Sequence, residues 1–511
     1  MVPVAALKAS LLATPDFSER LRKIAPLEQQ ALALMEDEPL RLGAIGAAIL
    51  DNYYGSLVGH MASLKYYEHL EAEDASVLHR RWVSHIQTAI QADHDGSKND
   101  PYVVLSASEA NGFLRSKGLT AVGSMYQTNA AVPLLMLEIV RPPEGPLKSL
   151  YFDLSDAYRA VEETLLAENP DQQMSPTLLI NYLAQKNDSA AQALIGAYLI
   201  SDNRLDEAVD WLSAATRSGN LLADLMLAQL YQRKAQSLKG VERKEYMDYA
   251  LENYLHAIAA GSDEAMFALG GLYLDATFGE ENIASGISLL QQAADLDNTS
   301  AMLWLAHLYA NGTYVEKDRE RAERYFRQAA ALGDDRARVQ YVRFLLTPGA
   351  EQPVGNQALA WLREAADADN PEAMLLLGNL YARGESVSRN FRKALKWYKA
   401  SVAAAPDDAN IVNEVAWTLA VTHLDKLRNP KYALTLMNHT MAENDQARAN
   451  PAFLDTWAAA YAATGDFENA VSVQQKAVSA AEEQEQLEDL EVLSEHLKMF
   501  QRGETVIDPV P

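Results

Sequence analysis

The sequence predicts a mainly α protein, built from repeated pairs of helices that follow a helical segment and a small α+β module. Two observations support this fold class. Runs rich in β-branched and aromatic residues cluster between residues 102 and 154. Beyond them, alanines recur every 36 residues, at Ala265, Ala301, Ala337, Ala373 and Ala409. A fixed period of this length is typical of repeats made of two helices.

Small and aromatic residues recur in step with these alanines. A small residue follows five positions later and a tyrosine three positions after that, as in Gly270 and Tyr273, Ala306 and Tyr309, and Gly378 and Tyr381. A glycine inside a helix costs about 1 kcal/mol relative to alanine. Gly270 and Gly378 therefore predict that a neighbouring helix approaches closely. The recurring tyrosines and tryptophans are predicted to fill the space between helices.

Polar residues and glycines mark the predicted helix ends. The second helices are predicted to begin at short polar side chains that accept backbone N–H groups, namely Asn282, Asp318, Asn390, Asn429 and Asp466. The first helices are predicted to begin at Asn220, Asn298, Asp334 and Asn370. Left-handed residues are predicted to close the second helices at Gly219, Gly261, Gly333, Asp297 and Asp369.

These segments carry a family resemblance. "YANGTYVEKDRERAERYFRQAAALGDDRA" and "YARGESVSRNFRKALKWYKASVAAAPDDA" resemble Sel-one-like repeats, and "LDTWAAAYAATGDFENAVSVQQKAV" resembles a tetratricopeptide repeat. The resemblance covers about residues 187–500 and implies a right-handed α-solenoid that binds a protein or peptide partner on its concave face. The segment "LEVLSEHLKMF" is predicted to be the capping helix of that solenoid.

The predicted domain order follows from these patterns. It comprises a helical segment (1–99), a small α+β module with a connecting helix (100–175), Sel-one-like repeats (176–410), tetratricopeptide-like repeats (411–480), and a capping helix with a tail (481–511). In the module, "YVVLS", "LTAVGSMYQ", "VPLLMLEIV" and "SLYFDL" predict strands, and "SEANGFLRSKG" predicts a short helix.

Charge and cysteine content limit the partners and the compartment. With 70 acidic against 44 basic residues the net charge is −26, which disfavours nucleic acid as a partner. The sequence contains no apolar run of about 18 residues, so no membrane span is predicted. The absence of cysteine excludes thiolate chemistry and favours a periplasmic or outer-membrane-associated protein, peripheral or lipid-anchored through a removed N-terminal signal segment. A cytoplasmic location is the alternative.

No enzyme or cofactor motif is predicted, since a phosphate loop, a dinucleotide fingerprint and a nucleophile elbow are all missing. Weak metal candidates are the loop oxygens of Asp93, Asp95, Asn99 and Asp100, but Gly96 stands at the fourth position and no glutamate at the twelfth, unlike a calcium loop. The spacing of the five histidines in residues 60–94 predicts surface or interhelical side chains, not metal ligands.

The sequence therefore predicts a non-catalytic scaffold or adaptor that assembles a bacterial, cell-envelope complex. The resemblance implies that groove-facing residues follow the small residue of each first helix or precede it by one turn, which gives Gln229, Phe267, Leu303, His307, Arg343 and Asn379. Simple solvent exposure of these residues is the competing interpretation. The charges of residues 316–324 are interpreted as a solvated face. The alternative function is a small-molecule, sugar or metal-binding N-terminal module docked by the solenoid.

Overall fold

Helices dominate the protein in a computed structural model, which confirms the mainly α fold class. The chain divides into two compact units, Met1–Asn298 and Thr299–Pro511. The five predicted domains stay predictions, and most of the predicted connecting helix lies outside the described residues. The structure describes residues 2–127, 133–159, 162, 176–347, 354–484 and 487–508.

The first unit begins with helices that confirm the predicted N-terminal helical segment. They are α1 (Val4–Leu12), α2 (Phe17–Leu34), α3 (Pro39–Asn52), α4 (Leu57–His69) and α5 (Glu73–Gln91). After the sheet, this unit continues with α7 (Pro176–Gln185), α8 (Ser189–Ser201), α9 (Leu205–Arg217), α10 (Leu221–Gln236), α11 (Gly240–Ala259), α12 (Asp263–Leu274), a 3-10 turn (Glu280–Asn282) and α13 (Ile283–Asp295). Helices α8 to α13 pack as consecutive antiparallel pairs.

The predicted α+β module is confirmed by a four-stranded sheet in the order β1-β4-β3-β2. Its elements are β1 (Tyr102–Val103), α6 (Ala107–Ser116), β2 (Thr120–Gln127), β3 (Leu135–Arg141) and β4 (Lys148–Asp153). β1 pairs with β4 in parallel, whereas β2–β3 and β3–β4 are antiparallel. The rings of Tyr102, Phe113 and Phe152 meet where α6 packs on the sheet.

The second unit consists of helices throughout its described residues. Its Sel-one-like part holds α14 (Thr299–Asn311), α15 (Arg319–Ala331), α16 (Asp335–Leu346), α17 (Asn356–Asp367), α18 (Pro371–Arg383) and α19 (Phe391–Ala404). The remainder holds α20 (Ala409–Val421), α21 (Pro430–Glu443), α22 (Asp445–Ala449), α23 (Pro451–Ala463), α24 (Phe467–Glu483) and the predicted capping helix α25 (Leu487–Gln501).

Paired helices approach each other most closely at glycines. A Cβ atom on Gly270 would lie 3.1 Å from the carbonyl oxygen of Gly286, on the partner helix. A Cβ atom on Gly378 would lie 2.4 Å from the ring of Tyr398. Both distances are shorter than ordinary carbon contacts, so the predicted close approach is confirmed.

The predicted helix ends are confirmed with one exception. Four of the five predicted second-helix caps accept the backbone N–H three residues ahead, namely Asp318, Asn390, Asn429 and Asp466. Asn282 precedes α13 as predicted but makes no cap hydrogen bond: it is the last residue of a 3-10 turn and donates its amide to the carbonyl of Phe278 at 2.9 Å. All five predicted closing residues are left-handed, with φ between 62° and 95°.

The 36-residue period slips before α20. Asp334 and Asn370 cap their helices in register, but the next cap is Asp408, which accepts from the N–H of Ile411. Ala409 is therefore the first residue of α20 and is only half-buried, so its assignment to the repeat is wrong. Ile411, 5% exposed, takes the buried place three residues after the cap.

The outer edge of the sheet, formed by β2, is covered by helix pairs of the first unit. Asn220 caps α10, and its side chain also accepts the N–H of Ser124 at 3.2 Å and donates to the carbonyl of Ser124 at 2.7 Å. Tyr126 donates to Asp188, the cap of α8, at 3.2 Å. The Asn220 amide thus pairs with the strand edge as a neighbouring strand would.

A buried carboxylate joins three of the N-terminal helices. Glu28 of α2 accepts the hydroxyls of Ser56 at 2.7 Å and Ser106 at 3.2 Å, and these serines cap α4 and α6. Glu28 is 3% exposed, and burial raises its pKa to about 7. None of the described helices combines the length and the apolar character that crossing a membrane requires.

Replacing Asn220 with alanine should destabilise the first unit by about 2–3 kcal/mol, because the cap and both bonds to Ser124 are lost in a buried place. The matched control is Ser262→Ala, which removes the cap of α12 alone and should cost about 1 kcal/mol. Urea unfolding of both variants measures the difference. Equal losses would contradict an anchoring role for Asn220.

The Glu28→Gln variant should lose a pH dependence that the natural chain shows. The folded-state pKa of about 7 exceeds the ordinary glutamate value of 4.5, so between these values the folded state holds a proton that the unfolded state releases. Glu28 should therefore contribute a fall of up to about 3 kcal/mol in the free energy of unfolding between pH 5 and pH 8, and the fall should be smaller by this amount in Glu28→Gln. Glu138, whose pKa burial raises to about 8, keeps its own share in both chains. Glu19→Gln, exposed on the same helix, is the control for urea unfolding and should keep the fall.

Candidate functional site

The six predicted partner-binding residues all lie on first helices of pairs, in α10, α12, α14, α16 and α18. Gln229, His307 and Arg343 are exposed, and Phe267 is half-buried. Leu303 and Asn379 are only 5% and 4% exposed and offer little surface to a partner. The Asn379 side chain accepts the Tyr398 hydroxyl at 2.7 Å, which is a packing contact. Partner binding by the six residues stays a prediction.

Two of the six residues meet in one surface depression of the second unit. His307 of α14 and Arg343 of α16 both line a cavity of about 340 Å³, which we call the α14–α16 depression. Its further lining includes Lys317, Arg319, Phe326, Gln340 and Phe344. The repeat places His307 and Arg343 exactly 36 positions apart, so consecutive first helices present them side by side.

Aromatic rings form the buried part of the depression. The rings of Phe326 and Phe344 lie 5.0 Å apart, and both side chains are less than 10% exposed. The His307 ring meets Phe326 edge-on at 5.1 Å, and its Nε2 lies 3.0 Å from Oε1 of Gln340. Because that oxygen only accepts, Nε2 carries the proton, and in the neutral ring Nδ1 is an acceptor.

Cationic side chains form the rim. Arg319 stands 4.3 Å above the Phe344 ring and donates to the Phe344 carbonyl at 3.1 Å, which fixes its guanidinium at the end of α16. Arg343 is 44% exposed and reaches Glu372 only at 3.8 Å. Lys317 is exposed at the same rim. Three cationic and no acidic side chains are among the described residues that line the depression, and Glu372 stands beside Arg343 at its border.

Sequence reasoning assigned Lys317 and Arg319 to a solvated face. The structure places both residues at the rim of the depression, where Lys317 is exposed and Arg319 is half-buried, so their charges remain at the surface. Phe326 was also missed, since it lies on a second helix and the prediction considered first helices alone. The segment "EKDRERAER" holds four basic and four acidic residues, so its composition gave no signal that could have found them.

The weak metal candidates form a hydrogen-bonded turn. Asp100 accepts from the His94 ring at 2.8 Å and from the N–H of Asp95 at 3.2 Å, while Asp95 accepts the N–H of Ser97 at 2.7 Å. These carboxylates are used within the loop, and Asn99 and Asp93 join no metal-binding group. Within the described ranges, no three histidine, aspartate or glutamate side chains are arranged to hold a metal ion.

The structure also shows a histidine pair that sequence spacing did not identify. Nδ1 of His60 lies 2.9 Å from Nδ1 of His79, and Nε2 of His60 lies 2.9 Å from the carbonyl oxygen of Tyr54. His60 is fully buried and stacks on Trp82. Burial lowers the pKa of His60 to about 4, so it is neutral at pH 7. This confirms the prediction of interhelical histidines, here between α4 and α5.

Comparison with known proteins agrees with the helical pairs. Four segments match the Sel1 repeat family, residues 263–298, 299–334, 347–370 and 371–404. They fall within the predicted span of about 187–500 and cover α12 to α15 and α17 to α19.

Curated relatives match over part of the chain. The chitin synthase regulator SKT5 of Saccharomyces cerevisiae is 33% identical over 147 residues, which are 28% of this chain and 20% of that protein. The Sel1-repeat-containing protein YjcO of Escherichia coli is 29% identical over 153 residues, 29% of this chain and 64% of that protein. The matched region thus spans less than two-thirds of either relative.

One solved structure is similar over nearly the whole length. It is c5321, a protective antigen of uropathogenic Escherichia coli with an SLR fold, at 15% identity and a TM-score of 0.48, covering 95% of this chain and 98% of that one. The chain carries four Sel1 repeats between residues 263 and 404.

Proposed function

We propose that the protein is a non-catalytic scaffold that binds a protein partner at the α14–α16 depression and assembles a complex in the bacterial cell envelope. The observation that carries this proposal is the meeting of His307 and Arg343 above an aromatic floor. Exposed polar groups around a rigid apolar floor suit a protein segment that docks by shape and polar contacts.

Three further observations support the proposal. Sel1 repeats generally serve as protein-interaction scaffolds, and the yeast relative is named as a regulator of another protein, chitin synthase. The absence of cysteine supports the envelope, because the chain has no thiol to be oxidised there. Because cationic side chains form the rim of the depression, replacing Arg343 with an acidic residue should weaken partner binding more than replacing it with a neutral residue.

The Arg343→Glu variant should lose partner capture. The full chain, immobilised, is exposed to extracts of cells that make the protein, and the enriched proteins are identified by mass spectrometry. We expect enrichment to fall about tenfold or more in Arg343→Glu, since a rim cation becomes a repelling anion. Arg363→Glu is the matched control, because Arg363 is exposed on α17 and does not line the depression. Equal capture by both variants would contradict the proposal.

The same experiment distinguishes the proposed scaffold function from the alternative function. β2 is hydrogen-bonded to the caps of α8 and α10. Separating the N-terminal module from these helices would therefore leave the edge of β2 exposed. Point variants in the full chain avoid that damage. If capture depends on the module and not on Arg343, a partner or ligand of the N-terminal module is the better explanation.

Cell fractionation checks the envelope part of the proposal. We expect the natural protein to be recovered with the periplasmic or outer-membrane fraction, with a cytosolic enzyme as the marker of contamination. Recovery together with that marker would overturn the location while leaving the scaffold role open to the capture experiment.

A further inference from the structure

The last described residues of the chain fold back onto α20. After α25 the chain turns at Gly503, which has φ +74° and open space around it, and the N–H of Glu504 bonds to the carbonyl of Met499 at 3.0 Å. Residues 504–508, here called the tail, then run alongside the end of α20. The tail is extended and belongs to no helix.

The end of α20 offers the tail a set of unsatisfied polar groups. α20 stops at Val421 because Thr422 turns to an extended conformation, with ψ 137°. The last carbonyls of a helix have no partner within it. The Val421 carbonyl accepts the N–H of Asp508 at 2.9 Å, and the N–H of His423 donates to the carbonyl of Asp508 at 3.3 Å. Thr422 and Asp508 thus form a parallel bridge, as a strand added to a sheet edge does.

Side chains add selectivity to this backbone pairing. The indole N–H of Trp417 donates to the carboxylate of Asp508 at 3.3 Å. Val506, two residues earlier, is 7% exposed and packs into the core of the unit, whereas Ile507 between them is 58% exposed. The alternation is that of an extended segment with one face bound. The sequence pattern recognised is therefore an apolar residue, followed by any residue, followed by an aspartate.

A second helix completes the place where the tail lies. The ring of His496, on α25, is 5.9 Å from the ring of Trp417. Nδ1 of His496 lies 2.9 Å from Oδ1 of Asp455. Burial acts to lower the pKa of His496, but the carboxylates of Asp455 and Asp508 raise it above its ordinary value. We call Trp417, Val421, Thr422, His423 and His496 the tail slot. It presents a backbone acceptor, a backbone donor, an indole N–H and an imidazole ring around an apolar cavity.

We propose that the tail slot is a peptide-binding site for an extended segment of a partner protein with an apolar residue two positions before an aspartate, and that the chain's own tail fills it when no partner is bound. Two backbone bonds, the bond from Trp417 and the burial of Val506 hold the tail, and these contacts must offset the entropy of ordering the residues that make them. A docked tail of this kind opens and closes, and a partner segment with the same pattern competes for the slot. This site is separate from the α14–α16 depression.

The test uses a fluorescent peptide with the sequence of residues 501–511, QRGETVIDPVP, and the full-length protein. Fluorescence anisotropy compares the natural chain with a chain in which the tail is weakened by Val506→Ala and Asp508→Ala. A tethered tail acts as a local concentration in the millimolar range. We therefore expect the peptide to bind the weakened chain at least about tenfold more tightly than the natural chain.

Two changes check the recognised pattern. Replacing the aspartate of the peptide with alanine should weaken binding to the weakened chain about tenfold, since a charged hydrogen bond is lost. Trp417→Phe in the weakened chain should have a similar effect, because it removes the indole N–H and keeps an aromatic ring. Equal affinity for the natural and weakened chains, or no saturable binding to a weakened chain that melts as the natural one does, overturns the proposal.

Hydrogen exchange of the natural chain keeps the proposal testable if the weakened chain fails to fold. The amides of Asp508 and His423 should exchange at least about tenfold faster than the amides in the middle of α20, because only the tail has to open. If they exchange as slowly as those helical amides, the tail is a fixed part of the fold and the proposal is wrong. Partner capture that depends on Arg343 is unaffected by either result, so the two proposals fail independently.

Discussion

The close crossing of the two helices in a pair is the constraint on which the rest of the structure depends. Gly270 and Gly286 face each other so closely that a methyl group on either would touch the other's backbone. Only small residues can occupy such a crossing, and larger ones are left to its margins, where Tyr309 and Tyr325 stack at 6.0 Å. Each pair also packs an apolar face against the next pair. The small residues therefore recur with the same period as the repeats.

The ends of the helices decide what else can attach to the pairs. A helix terminus leaves N–H or C=O groups without partners, and the structure satisfies them with groups from elsewhere in the chain. Asn220 satisfies its own helix and the edge of β2 together, which holds the sheet against the first unit. At the other end of the chain the carbonyl of Val421 receives the tail. The same rule thus explains both the junction at β2 and the docking of the tail.

The candidate site could be predicted in part. His307 and Arg343 were found from the sequence because they hold equivalent repeat positions that packing does not dictate. Lys317, Arg319 and Phe326 could not be found in this way, since they come from a turn and a second helix whose path back to the site depends on the fold. Leu303 lies one turn from His307 on the same helix but is only 5% exposed, which its position in the repeat does not reveal.

The sequence by itself determined the mainly α fold class, the paired helices, most of their caps and the strands of the module. These features depend on residues a few positions apart, so composition and spacing are sufficient to show them. The tertiary structure alone decided the slip of the period before α20, the pairing of His60 with His79, the contact of Asn220 with β2 and the return of Asp508 to Trp417. Each of these depends on groups brought together from separate elements, which local patterns do not encode.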